Sequence, residues 1–293
     1  MIFESFDKKK IYVHEWTDDQ SPKAVVQIVH GMVEHGARYD AFARFLNAHG
    51  YIVVADDHRG HGKTDEKTLG YSAGNMFADT VKDEAALTDH YKAKYPDLKY
   101  FLLGFSYGSF LAQSYIGKYG DKLDGAVIAG SNHKKDFEVY LGSVVAALGK
   151  EKKPAKLIEK LSFGAYEKKF DDRIWLSNDK ENNLAYKNDP YCSFTCSNRF
   201  YRDFFKGLKS LYTKSYIKGL KKDLPVLLAS GEKDPVGNMG KGVKKLYKFY
   251  TEKAGMTDVT LKLFENSRHE FLNEKENRDE KWSTVLDFFE KNL

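Results

Sequence analysis

Tyr100-Phe101-Leu102-Leu103-Gly104-Phe105-Ser106-Tyr107-Gly108-Ser109-Phe110-Leu111-Ala112-Gln113-Ser114-Tyr115 is the stretch whose reading decides the fold. Its first four residues are apolar and read as a buried strand. Gly104 to Gly108 match Gly-x-Ser-x-Gly, and Ser109 to Tyr115 have helical character. Strand, tight turn and helix in that order are the parts of a nucleophile elbow. Such a turn strains the backbone of its serine and leaves room only for glycine at Gly104 and Gly108. The Ser106 hydroxyl is then expected to stand above a sheet, over the N-terminus of a helix.

The rest of the chain fits around that element. Ile11 to Trp16 alternates and predicts a half-buried strand, hairpinned to Phe3 to Phe6 through the lysine turn. Ala24 to Val29 is nearly continuous and β-branched, as a central parallel strand should be. Tyr39 to His49 has helical apolar spacing and stops at Gly50, a natural C-cap. Tyr51 to Ala55 predicts a strand, Thr80 to Tyr95 a helix stopped by Pro96, and Leu123 to Ala129 a further strand. This succession predicts an α/β fold with a mostly parallel sheet flanked by helices on both faces.

The alternation breaks near Ser131. The next ~80 residues are helical in period, rich in lysine and aromatics, and lack a convincing buried strand. Strands return at Leu224 to Ala229 and Val259 to Phe264, with helices through Val243 to Tyr250 and around Trp282 to Phe289. Residues 131–213 are therefore expected to be a helical insertion in a core made of 1–130 and 214–293.

Bulk properties narrow the classes. The chain has 293 residues, 42% hydrophobic and 30% charged, the composition of a soluble globular protein. It has no apolar run of ~18 residues and no signal-peptide core at its start, so a cytoplasmic location is expected. Cys192 and Cys196 are the only cysteines. They are expected to be reduced thiols, and the pair alone makes a poor zinc site. A formal charge of +5 is too mild to imply nucleic acid. Ser131 to Thr213 holds 16 Lys and Arg against 11 Asp and Glu, enough for the whole imbalance. That surface suits a peripheral membrane or an anionic substrate; a solvated helical surface is the plain alternative.

A serine hydroxyl is a weak nucleophile and needs a base, an orienting acid and oxyanion donors. In an elbow topology the acid and then the histidine follow the serine. Asp234 follows the strand ending near Ser230, and His269 follows the last predicted strand. Both fall where catalytic groups collect, on loops at the C-terminal edge of a sheet. Tyr107 supplies one backbone N–H for the oxyanion. In Val29-His30-Gly31-Met32, the His30-Gly31 turn leaves Met32 as the second. The loop Asp56-Asp57-His58-Arg59-Gly60-His61-Gly62 is crowded with metal-ligand types, but its glycines suit tight packing better than metal geometry. Arg59 is expected to pair with a carboxylate or carbonyls and hold that loop. Neither a metal nor a cofactor is expected.

With these residues placed, the chain resembles the monoacylglycerol lipase and lysophospholipase branch of the α/β-hydrolases, whose members are often labelled serine aminopeptidase-like. The resemblance rests on His30-Gly31-Met32-Val33-Glu34-His35, Asp57-His58-Arg59-Gly60-His61-Gly62, Gly104-Phe105-Ser106-Tyr107-Gly108, Gly231-Glu232-Lys233-Asp234-Pro235 and Arg268-His269-Glu270. It implies an α/β-hydrolase fold with an inserted cap, a triad of Ser106, Asp234 and His269, and an oxyanion hole from the Met32 and Tyr107 amides. It implies hydrolysis of small-molecule or lipid esters. Three readings stay open: monoacylglycerol or lysophospholipid-type esters, short or aromatic feruloyl-type esters, and a fold kept for ligand binding alone. An aminopeptidase follows only from the label, because no carboxylate pocket for an amine is visible in the cap.

Overall fold

The computed structural model describes residues 1–17, 21–134 and 137–293. Its strands are β1 (Ile2–Glu4), β2 (Lys10–Trp16), β3 (Ala24–Val29), β4 (Tyr51–Asp56), β5 (Lys99–Phe105), β6 (Gly125–Ala129), β7 (Val226–Gly231) and β8 (Val259–Phe264). They form one sheet in the order β1-β2-β4-β3-β5-β6-β7-β8. β1 pairs antiparallel with β2 and β2 with β4; every later pairing is parallel. The first strand ends earlier than the sequence suggests. A turn from Ser5 to Lys9 takes those residues, with Ser5 N–H bonded to the Lys9 carbonyl at 2.9 Å.

Side-chain alternation explains why the central strands read as continuous apolar runs. Val25, Val29, Tyr100 and Leu102 join the core on one face. Val26, Ile28, Phe101 and Leu103 join the core on the other. A parallel strand covered on both sides needs apolar residues at every position. One polar exception is Gln27 in β3, fully buried and hydrogen-bonded to Glu84, Thr88 and Tyr100.

The helices divide between the faces. α1 (Asp40–Ala48) and the C-terminal helix share one core through Phe42, Leu46, Val285 and Phe289. α2 (Met76–Lys94), α3 (Tyr107–Tyr119) and the helix before β8 share the other through Val81, Leu111 and Val243. Gly50 follows α1 at φ +88°, where glycine carries no steric penalty. α2 begins a turn before the predicted Thr80, because the Asn75 side chain caps it by accepting the Ala78 N–H. Its buried face includes Thr80, Asp83, Glu84 and Thr88, which apolar spacing cannot detect.

Between β6 and β7 the described residues form α4 (Phe137–Leu148), α5 (Lys156–Glu167), α6 (Lys180–Asn188), α7 (Asn198–Ser210) and α8 (Lys214–Gly219). After β7 come α9 (Lys241–Lys248) and, beyond β8, α10 (Arg278–Lys291). α7 packs on α4 and α2, and α8 on α3. Among the described residues, no helix is long and apolar enough to cross a membrane. Cys192 and Cys196 are buried free thiols.

Candidate active site

Ser106 sits between β5 and α3 at φ +53°, ψ −117°, a conformation that costs on the order of 1–3 kcal/mol. The surroundings over-determine it. A Cβ on Gly104 would lie 2.4 Å from the Gly108 carbonyl oxygen, and one on Gly108 only 1.9 Å from that of Val29. The Ser106 N–H donates to the Ala129 carbonyl at 3.0 Å, tying the turn to β6. The serine itself is half-buried, so its hydroxyl remains reachable.

The structure brings Asp234 and His269 to that hydroxyl. His269 Nε2 is 2.8 Å from Ser106 Oγ, and His269 Nδ1 is 2.9 Å from Asp234 Oδ1. A carboxylate only accepts, so Nδ1 carries the hydrogen and Nε2 is free to receive the serine proton. Asp234 is fully buried and accepts the Val236 N–H at 2.8 Å and the Ser230 hydroxyl at 3.2 Å. The loops carrying the two residues are laced together. Lys233 N–H donates to the Ser267 carbonyl, and a Cβ on Gly231 would strike the Ser267 and Arg268 carbonyls at 2.2 Å. Burial alone would lower the His269 pKa. The carboxylate of Asp234, with Glu270 and Glu34 behind it, outweighs burial, and the pKa is raised.

The loop after β3 lies against the serine. A Cβ on Gly31 would be 3.2 Å from Ser106 Cβ and 2.5 Å from Glu34 Oε1. Glu34 accepts the N–H of Gly31, the residue before Met32, at 2.6 Å, which holds this turn in place. Tyr107 opens α3, where the first N–H groups have no acceptor within the helix. Val33 is held at φ +54°, an outlier for a β-branched residue, and its carbonyl accepts the Ser193 N–H of the insertion.

Arg38 and Asn182 carry no signal in the sequence, yet both reach the site. Arg38 donates to Glu34 at 2.6 Å and to both oxygens of Glu270, and Asn182 of α6 completes the group. This network joins the β3 loop, the His269 loop and the insertion. Burial opposes charge on Glu270, yet Arg38 prevails and lowers its pKa. Glu34 and Glu270 stand inside the motifs His30 to His35 and Arg268 to Glu270, but the sequence assigns them no role. Trp175 of the insertion packs on His269 at 5.3 Å between centroids, with Phe163 and Tyr166 around it. Phe200 and Phe204 of α7 pack on Tyr107. A surface cleft of about 560 Å³ lined by Phe170, Asp172, Lys233 and Arg268 contains none of Ser106, Asp234 and His269.

Arg59 donates to Asp83 and to Asp7, so it anchors its loop to α2 and to the β1–β2 turn. The crowded loop also contributes to clusters with metal-ligand chemistry: His14 with His35 and Asp57, and Asp56 with His58 and Glu84. His35, Asp189 and Cys192 make another. Protein partners already engage much of the donor set. Asp57, for example, accepts from His14, Gly36 and Lys63.

The chain is similar to several known proteins. The family described as "Serine aminopeptidase, S33" (Hydrolase_4) matches residues 20–276. A monoacylglycerol lipase of Mycolicibacterium smegmatis is 27% identical over 274 residues, 92% of this chain and 89% of that protein. The monoglyceride lipase of Homo sapiens is 34% identical over 106 residues, 36% of this chain and 34% of that one. The structure of a thermostable carboxyl esterase from Bacillus coagulans, solved with glycerol, superposes with a TM-score of 0.89 and 27% identity. That match covers 99% of this chain and 97% of the esterase. The chain belongs to the serine aminopeptidase S33 family, and its fold is that of the α/β-hydrolases.

Proposed function

We propose that the chain is a serine hydrolase of carboxylic esters, acting on monoacylglycerol or lysophospholipid-type substrates through an acyl-enzyme. The observation that carries this reading is the chain of contacts from Ser106 Oγ to His269 Nε2 at 2.8 Å and from Nδ1 to Asp234 at 2.9 Å. Ser106 attacks the ester carbonyl as His269 takes its proton. Asp234 holds the imidazole in one tautomer and stabilises its charged form. The Met32 and Tyr107 N–H groups receive the oxyanion, each worth roughly 3 kcal/mol at such a site. His269 protonates the departing alcohol as its bond to the acyl carbon breaks. It then takes a proton from water as the water attacks the acyl-enzyme, and returns that proton to Ser106 Oγ as the acyl–oxygen bond breaks and the acid leaves.

Residues 131–213 act as the cap over this centre. Trp175, packed against His269 with the rings tilted by 39°, and the aromatic cluster behind it suit an acyl group. The relative from Mycolicibacterium smegmatis, a monoacylglycerol lipase, supports the glyceride reading. The carboxyl esterase from Bacillus coagulans supports a second one, short or aromatic esters. Exposed Leu148, Leu157 and Leu161 on α4 and α5, among Lys152, Lys153, Lys156 and Lys160, suit peripheral contact with anionic lipid.

The test is initial rate against acyl length from acetyl to palmitoyl esters, plus a feruloyl ester, with Ser106→Ala as blank. Rates rising beyond about eight carbons support the lipid-ester reading, whereas a preference for acetyl, butyryl or feruloyl groups moves it to the second. Retained activity in Ser106→Ala sinks both. Labelling of Ser106 by a fluorophosphonate separates an enzyme from a binding protein, which has no use for an activated serine.

A further inference from the structure

Beneath the Gly31–Met32 turn, two fully buried histidines from different loops stack with ring centroids 3.7 Å apart and planes 15° apart. His30 belongs to the loop after β3 and His58 to the loop after β4. Their partners settle where the ring hydrogens are. The His58 backbone N–H donates to His30 Nε2 at 3.0 Å, so that nitrogen is bare. His30 Nδ1 therefore carries the hydrogen and donates to the Gly31 carbonyl at 2.7 Å. His30 is neutral.

His58 differs. Its Nε2 lies 3.1 Å from the His30 carbonyl, and its Nδ1 lies 2.9 Å from Asp56 and 3.3 Å from Glu84. The His30 carbonyl and the Asp56 carboxylate accept and do not donate, so both His58 nitrogens carry hydrogen and the ring is an imidazolium. One buried oxygen on each acid, Asp56 Oδ1 and Glu84 Oε1, has no well-directed hydrogen-bond donor. A neutral Glu84 carries an O–H proton that can meet such an oxygen. Burial and the neighbouring Asp56 push the Glu84 pKa up to about 8, in keeping with that proton.

The Gly31 carbonyl is half of the peptide whose other half is the Met32 N–H. In a planar trans peptide the two point in opposite directions. Holding the carbonyl toward His30 thus fixes the direction of the amide, beside Ser106. We infer that His58, kept as an imidazolium by the Asp56 carboxylate, is a positioning residue that aims and strengthens the Met32 oxyanion donor through His30 and the Gly31 carbonyl. This rests on the ester-hydrolase reading above. The positive ring over His30 makes its Nδ1–H a better donor, which in turn polarises the Gly31–Met32 amide.

The other groups facing His58 are His61 from its own loop and Tyr107 from α3. Burial, with His58 beside it, holds His61 down to about 3, and burial holds the Tyr107 phenol well above its ordinary value. Neither changes charge near neutral pH.

Two measurements test the inference. Long-range nitrogen–proton NMR of the histidine-labelled wild-type protein at neutral pH is expected to show both His58 nitrogens protonated and His30 protonated at Nδ1 alone. A neutral His58 overturns the inference. Asp56→Asn keeps the shape and removes the charge that holds the imidazolium. It is expected to lower kcat on 4-nitrophenyl butyrate roughly 10- to 100-fold, with KM within about twofold. Affinity for a trifluoromethyl ketone, whose Ser106 adduct carries an oxyanion, should fall by the same factor. A folded variant with unchanged kcat and ketone affinity, or with only KM altered, overturns it. If the variant does not fold, the NMR result on the wild type decides. A wild type that cleaves no ester refutes the proposed reaction instead, while the NMR still reads the charge of His58.

Discussion

Replacing Asp234 by Asn should cost charge without costing geometry, and the structure shows why. Asp234 Oδ1 accepts from His269 Nδ1 and from the Val236 N–H, whereas Oδ2 accepts only the Ser230 hydroxyl. An asparagine placed with its oxygen at Oδ1 keeps both of the first bonds. Its NH2 then faces Ser230 Oγ, which can accept as well as donate. The His269 tautomer therefore survives, and what disappears is the attraction between carboxylate and forming imidazolium. For unit charges about 4 Å apart at an effective dielectric of about 20, that attraction is about 4 kcal/mol. The kcat should fall on the order of 1000-fold. The pH profile should move as well. Burial lowers the His269 pKa and Asp234 raises it. Without the carboxylate, burial prevails, the base stays neutral to lower pH, and the acid limb shifts down. Initial rates on 4-nitrophenyl butyrate from about pH 5 to 9, normalised to folded protein, measure both effects. A loss under tenfold, or an acid limb that stays in place, refutes the reasoning.

Two further predictions concern stability. Gly108→Ala puts a Cβ 1.9 Å from the Val29 carbonyl and 2.5 Å from that of His30, backbone atoms that cannot step aside. It should cost about 3 kcal/mol or more in urea unfolding, whereas Gly164→Ala on α5, with nothing within 4 Å, should gain up to about 1 kcal/mol. Equal effects at the two sites would contradict the packing argument. The raised Glu84 pKa means that the fold favours its neutral form. That stability is complete below the ordinary value of 4.5 and is lost as pH rises toward about 8. The urea midpoint should fall across that window, and Glu84→Gln, which cannot ionise, should flatten the fall. Parallel curves for the two proteins would show that Glu84 does not carry the effect.

What the chain alone determined is local. β3 and β8 span the residues that β-branched and alternating patterns mark, because strand periodicity is written in consecutive side chains. The Gly-x-Ser-x-Gly turn is legible for the same reason, since its glycines answer to clashes within a few residues. The order of Ser106, Asp234 and His269 along the chain follows from strands each ending at one sheet edge. What only the tertiary structure decided is the company of buried charge. Nothing in α2 distinguishes Glu84, which is buried, from exposed Glu or Asp until His58 and Asp56 arrive from another strand. Arg38, bonded to Glu34, also reaches Glu270 across 232 positions of sequence. Trp175 reaches His269 from a segment 94 positions earlier in the chain. A buried ion or a ring over a base is favourable only with its partner in place, and that partner is set by the packing of distant segments.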